Sequence, residues 1–78
     1  MKVRLLLFAS YRDLAGASEL TLEVPSGARA ADAVVLLRQT ASKIPEKPVV
    51  AINREYSSLD DILNEGDELA LLPPVAGG

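Results

Sequence analysis

At 78 residues the chain has room for one small domain, whose core is too modest to enclose a deep catalytic pocket of its own. It contains no cysteine and no histidine, which excludes disulfides, zinc knuckles and thiol nucleophiles, and removes the commonest general base. A formal charge of −3 argues against nucleic acid, whose phosphates require a basic face, and 49% apolar residues are ordinary for a soluble domain.

The first segment, Lys2 to Phe8, is rich in Val and Leu and reads as an interior strand. Its apolar run Leu5-Leu6-Leu7-Phe8-Ala9 is too short to span a membrane and no small-residue cleavage site follows it. A cytoplasmic chain without a membrane partner is the expectation. Ser10 to Ala15 suits a short helical turn that Gly16 would end in the left-handed conformation. Glu19 to Val24 alternates polar and apolar residues, a half-buried strand with Leu20, Leu22 and Val24 inward.

The period then changes. Ala30, Ala33, Val34, Leu37 and Ala41 share one helical face, predicting a helix from about Ala30 to Ser42. Arg29 stands where a capping Ser, Thr or Asp would be favoured, so the start reads as weakly capped, with Asp32 compensating through the helix dipole. Val49 to Ile52 is a third strand and Asn53 to Tyr56 reads as a turn. Leu59 to Leu63 reads as a helical turn or a short edge strand, and Asn64 to Asp67 as a turn by its residues. Glu68 to Leu72 is the last strand, after which Pro73 and Pro74 forbid further pairing. This order predicts an α+β chain: a mixed sheet packed on one main helix, the β-grasp or ubiquitin-like fold, over residues 1–72, with residues 73–78 as an extended tail.

That tail reads Pro73-Pro74-Val75-Ala76-Gly77-Gly78. The proline pair favours an extended, stiff start. The final glycines leave the backbone free to take the torsions a narrow channel imposes and keep the Gly78 carboxylate unobstructed. The alternative is an ordinary frayed terminus.

The segment Phe8 to Gly16 and the ending Leu72 to Gly78 both resemble the MoaD-type sulfur carriers, the small subunits of molybdopterin synthase. The resemblance also takes in Val50 to Tyr56 and Glu65 to Ala70; the Pro-Pro-Val-Ala-Gly-Gly ending is its most specific part. Arg29 departs from the family, where a capping Ser or Thr is frequent. The resemblance implies a subunit without an active site of its own and without a bound cofactor. A ubiquitin-activating-type partner would use ATP and Mg to adenylate Gly78, and a sulfur donor would convert it to a thiocarboxylate. Pro73, Pro74, Val75, Ala76 and Gly77 would carry that group into the large synthase subunit. There sulfur passes to cyclic pyranopterin monophosphate, in a heterotetramer. Other carriers of the same fold serve thiazole synthesis, tRNA thiolation or cysteine synthesis, and a lysine-conjugating modifier or a plain interaction module also fits. An independent enzyme has least support, since phosphate loop, triad and metal ligands are lacking.

Strand alternation points to a docking surface. With the helix over Val3, Leu5, Leu7, Leu69 and Leu71, the residues Leu6, Phe8 and Leu72 fall on the uncovered face beside the tail. The alternative puts Phe8 under a loop as a satellite of the core. Arg12 is the polar candidate for a partner contact, although an exposed arginine is by default simply solvated. Asn53 is expected to close its own turn, and Asp60, Asp61, Asp67 and Glu68 to form a solvated acidic surface rather than a metal site. Tyr56 has no assigned chemistry.

Overall fold

The strands are β1 (Lys2–Leu7), β2 (Glu19–Glu23), β3 (Val49–Ile52), β4 (Glu55–Ser57) and β5 (Glu68–Leu72), and the helices α1 (Ala9–Ala15) and α2 (Ala30–Arg38). This is a computed structural model, and it describes residues 1–74. The sheet order is β2-β1-β5-β3-β4. β1 runs antiparallel to β2 and parallel to β5, while β3 runs antiparallel to both β5 and β4. This is the mixed β-grasp sheet the element order predicts, with α2 across one face.

Period-two alternation makes that packing possible. Val3, Leu5 and Leu7 of β1 and Leu69 and Leu71 of β5 all point one way and are at most 2% exposed. Ala30, Ala33, Val34 and Leu37 of α2 lie in the same buried cluster, as do Val50, Ile44 and Leu63. Full burial of each Leu or Ile stabilises by roughly 1.5–3 kcal/mol. Val24 is buried, and Leu20 and Leu22 pack against the cluster, as their alternation predicts.

Four local expectations need correction. β1 ends at Leu7; Phe8 is the extended N-cap of α1, which begins at Ala9 and ends at the left-handed Gly16 (φ 78°). α2 stops at Arg38 rather than Ser42, because the backbone tightens there: the Gln39 and Thr40 N–H groups bond three residues back, to Leu36 and Leu37. Arg38 then fixes the exit, its Nε donating to the Ile44 carbonyl at 2.6 Å. Ala41 still packs in the core, which is why the helical spacing ran on past the helix.

Asn53 to Tyr56 is a hairpin rather than a turn alone. Asn53 and Arg54 form a two-residue connection with φ of 51° and 72°, and Glu55–Ser57 returns as β4. The segment from Leu59 to Leu63 is neither helix nor strand but a turn with one bridge, Ile62 to Arg29. That segment supplies the cap missing from the sequence around Arg29. The Ala30 and Ala31 N–H groups donate to the carbonyls of Asp61 and Leu59, both at 2.9 Å. The Asp32 carboxylate accepts from the Arg29 N–H at 2.8 Å, the reciprocal half of a capping box. An arginine side chain has no acceptor to complete the box, and this one donates instead to the Asp60 carbonyl.

Candidate functional site

On the face of the sheet away from α2, register determines which residues meet. Leu6 pairs with Ala70, Ala70 with Ala51, and Ala51 with Tyr56, giving one row across four strands. Leu72 pairs with Val49 in the next row. Leu6, Phe8, Ala51, Ala70, Leu72 and Tyr56 line an open groove of about 420 Å³, together with Arg54 and Glu68. Ala51 and Ala70, 7% and 9% exposed, sit opposite each other with no side chain beyond Cβ and form its floor. Phe8 (46%) and Tyr56 (83%) stand out into solvent. The fold therefore brings together Leu6, Phe8 and Leu72, as alternation predicts, and Phe8 is not covered by a loop.

Ala51, Ala70, Arg54 and Tyr56 belong to the groove and sequence reasoning missed them. The signal was the alternation of β3 and β5, usable only once their pairing register is known. Arg12 is not part of the groove: it lies on α1, 57% exposed in its side chain and 3.8 Å from Asp13.

The groove is apolar at the end where β5 leaves the sheet and charged at the other. Arg4 donates to Glu68 at 2.7 Å, and Glu19 and Arg54 flank this pair at 3.8 Å. The acidic residues here are not a free solvated cluster. Glu68 has only 15% of its side chain exposed, and Asp67 is buried. The Asp67 carboxylate accepts from Asn53 Nδ2 at 2.9 Å and from the Asn64 N–H at 2.7 Å. Asn53 in turn accepts from the Glu68 N–H at 3.0 Å, and its own N–H donates to the Glu68 carbonyl at 2.8 Å. So Asn53 does more than close its own turn: it ties the β3–β4 hairpin to the start of β5 and fixes the charged end of the groove. Among the described residues no three His, Cys, Asp or Glu side chains gather as a metal site, and no helix is long and apolar enough to cross a membrane.

A second hollow of about 660 Å³ lies beside α2, bordered by Val35, Arg38, Glu46, Lys47 and Asp60. Its rim carries charges of both signs, and its lining among the described residues includes neither Leu72, Pro73 nor Pro74. The first groove includes Leu72, which immediately precedes Pro73. Pro73 and Pro74 follow outside the strand; Val75, Ala76, Gly77 and Gly78, on which the tail reading rests, lie outside the described residues.

Three comparisons bear on this arrangement. The description of the ThiS family matches residues 5–78. A molybdopterin synthase sulfur carrier subunit from Arabidopsis thaliana is 37% identical over 81 residues, covering all of this chain and 84% of that one. Among solved structures, a provisionally named molybdopterin converting factor subunit 1 from Pyrococcus furiosus is 32% identical with a TM-score of 0.84, covering 96% of this chain and 99% of that one. Small archaeal modifier protein 1 (SAMP1) from Haloferax volcanii is 28% identical with a TM-score of 0.86, each chain fully covered.

Proposed function

Because the chain belongs to the ThiS family, in the branch of the molybdopterin synthase sulfur carrier subunits, we propose that it carries sulfur on the carboxylate of Gly78. A carboxylate is a poor electrophile and must first be activated. A ubiquitin-activating-type partner using ATP and Mg joins AMP to Gly78 and releases pyrophosphate. A sulfur donor then displaces AMP, leaving a thiocarboxylate that is ionised and nucleophilic at neutral pH. The tail of Pro73, Pro74, Val75, Ala76 and Gly77 inserts into the large synthase subunit, where the sulfur passes to cyclic pyranopterin monophosphate. Six residues reach roughly 20 Å at about 3.3 Å each, enough for a narrow channel.

The observation that supports this reading best is the contiguity of groove and tail. Leu72 lines the apolar groove and is the last strand residue before Pro73. A partner seated on Leu6, Phe8 and Leu72 therefore holds the root of the tail. The groove docks and the tail reacts, a division that suits a chain with neither Cys nor His. The large subunit supplies the pocket, and docking on both partners in turn makes this chain a shuttle in a cytoplasmic heterotetrameric pathway. No cofactor binds to the carrier itself.

The test is the intact mass of the chain after incubation with the activating enzyme, ATP, Mg and a sulfur donor, followed by thiol-selective alkylation. An alkylatable sulfur mapping to Gly78 is expected; a plain carboxylate under these conditions overturns the proposal. The likeness to small archaeal modifier protein 1 favours a second use of the same activated carboxylate, transfer to a lysine amine. The same experiment with cell extract reads that out as a covalent adduct that survives thiols.

A further inference from the structure

The charged end of the groove holds a residue whose backbone and side chain do not fit a structural role. A two-residue hairpin with both residues at positive φ matches strand twist best, and Asn-Gly is its least strained sequence. Here the pair is Asn53-Arg54, with Arg54 at φ 72° where glycine would be free of strain. The side chain does not repay that strain in the fold. It is 90% exposed and stands 3.8 Å from Glu68, a carboxylate already held by Arg4 at 2.7 Å. An exposed pair of this kind contributes little to stability. Strained non-glycine backbone tends to collect at functional sites. Of the three described non-glycine residues with positive φ, Arg54 lines the groove, while Ala9 and Asn53 each adjoin a lining residue in sequence, Phe8 and Arg54.

We propose that Arg54 is a specificity-determining residue of the groove, reading a carboxylate that the protein partner presents beside an apolar side chain. The apolar side chain lies over Ala51 and Ala70, between Leu6 and Tyr56, and the carboxylate meets the guanidinium from solvent. Arg4 holds Glu68 Oε2 at 2.7 Å, whereas Arg54 stands 3.8 Å from Oε1 with its side chain 90% exposed, a loose pairing that lets its guanidinium turn outward. A single guanidinium against a planar carboxylate gives directional, bidentate pairing, whereas a phosphate backbone would need a basic face that a chain of charge −3 does not offer. This rests on the docking reading above and adds the partner's polar chemistry to it.

The experiment is calorimetric titration of the full chain with the large synthase subunit from the same organism, at low and high salt, together with thermal melts. Arg54→Gly is expected to melt at the same temperature as the wild type or higher, since strain is relieved, yet to bind about tenfold more weakly. Its affinity should also lose most of the salt dependence of the wild type. Arg54→Lys, which keeps the charge, should recover part of the affinity. Phe8→Ala is the control for docking itself. If Phe8→Ala binds poorly while Arg54→Gly binds as the wild type, the Arg54 proposal is overturned and docking stands. Weaker binding by Arg54→Gly with an unchanged salt profile also overturns it. If Phe8→Ala is unaffected, or the wild type does not bind, the docking reading falls and takes the Arg54 proposal with it.

Discussion

The two faces of the sheet are made from the same strands and nearly the same residue types, yet they do different work. On β1, Val3, Leu5 and Leu7 lie under α2 at no more than 2% exposure, while Leu6, one residue away, lines an open groove. On β5, Leu69 and Leu71 are buried and Leu72 opens to the groove. What separates core from open groove is only whether a helix lies above. An apolar residue on the covered face stabilises the fold; one on the open face stays in contact with water.

Substitutions that respect this alternation should divide cleanly between stability and binding. The largest effect on stability belongs to the covered face: Leu69→Ala should lose about 2–5 kcal/mol in denaturant unfolding, the cost of a core cavity. For a domain this small, that loss would leave much of the population unfolded. A loss below 1 kcal/mol would mean that the two faces are not energetically distinct. Next comes the clamp linking hairpin and β5. Asp67→Ala leaves Asn53 Nδ2 and the Asn64 N–H without their acceptor, and about 1–3 kcal/mol should be lost in the same measurement.

On the open face, Phe8→Ala should change stability by less than about 1 kcal/mol, since the ring is already half in water. Its effect should appear in partner affinity instead. A Phe8→Ala variant that unfolds as easily as Leu69→Ala would show the ring to be core after all. Arg4→Gln should shift stability by at most about 1 kcal/mol, because Arg4 is half exposed and solvent screens its pair with Glu68. Smallest of all is removal of Gly77 and Gly78: no change in melting is expected, with sulfur loading abolished. Continued loading in that truncation, read by intact mass, would detach the chemistry from the tail.

The covered face was legible because it is periodic. Leu20, Leu22 and Val24, Val3, Leu5 and Leu7, and the Ala30 to Leu37 spacing of α2 each announce themselves within a few residues. The tail reading rests on the motif Pro73-Pro74-Val75-Ala76-Gly77-Gly78 alone, whose last four residues lie outside the described ones. Half of the groove was legible from alternation along single strands, which put Leu6, Phe8 and Leu72 together. The rest depends on partners distant in sequence. Ala51 reaches the groove floor only because β3 pairs with β5 in a particular register. β4 is three residues long, too short to show a period. The α2 cap comes from carbonyls some thirty residues downstream, and Asp67 is buried by contacts with Asn53 and Asn64 that no local pattern encodes.

The position of β5 governs when the molecule can exist at all. It is the middle strand of the sheet and the last in chain order among the described residues. Until it emerges, β1 and β3 are two open edges with a gap between them, and neither can complete its hydrogen bonding. The β1–β2 and β3–β4 hairpins can each pair without it, but only β5 joins them into one sheet, so the complete fold waits for the segment that directly precedes the tail. A chain cut short before β5 lacks the strand that joins the two hairpins and is expected to stay unfolded in circular dichroism. The topology thus makes the existence of the groove depend on the same strand from which Pro73 and Pro74 extend.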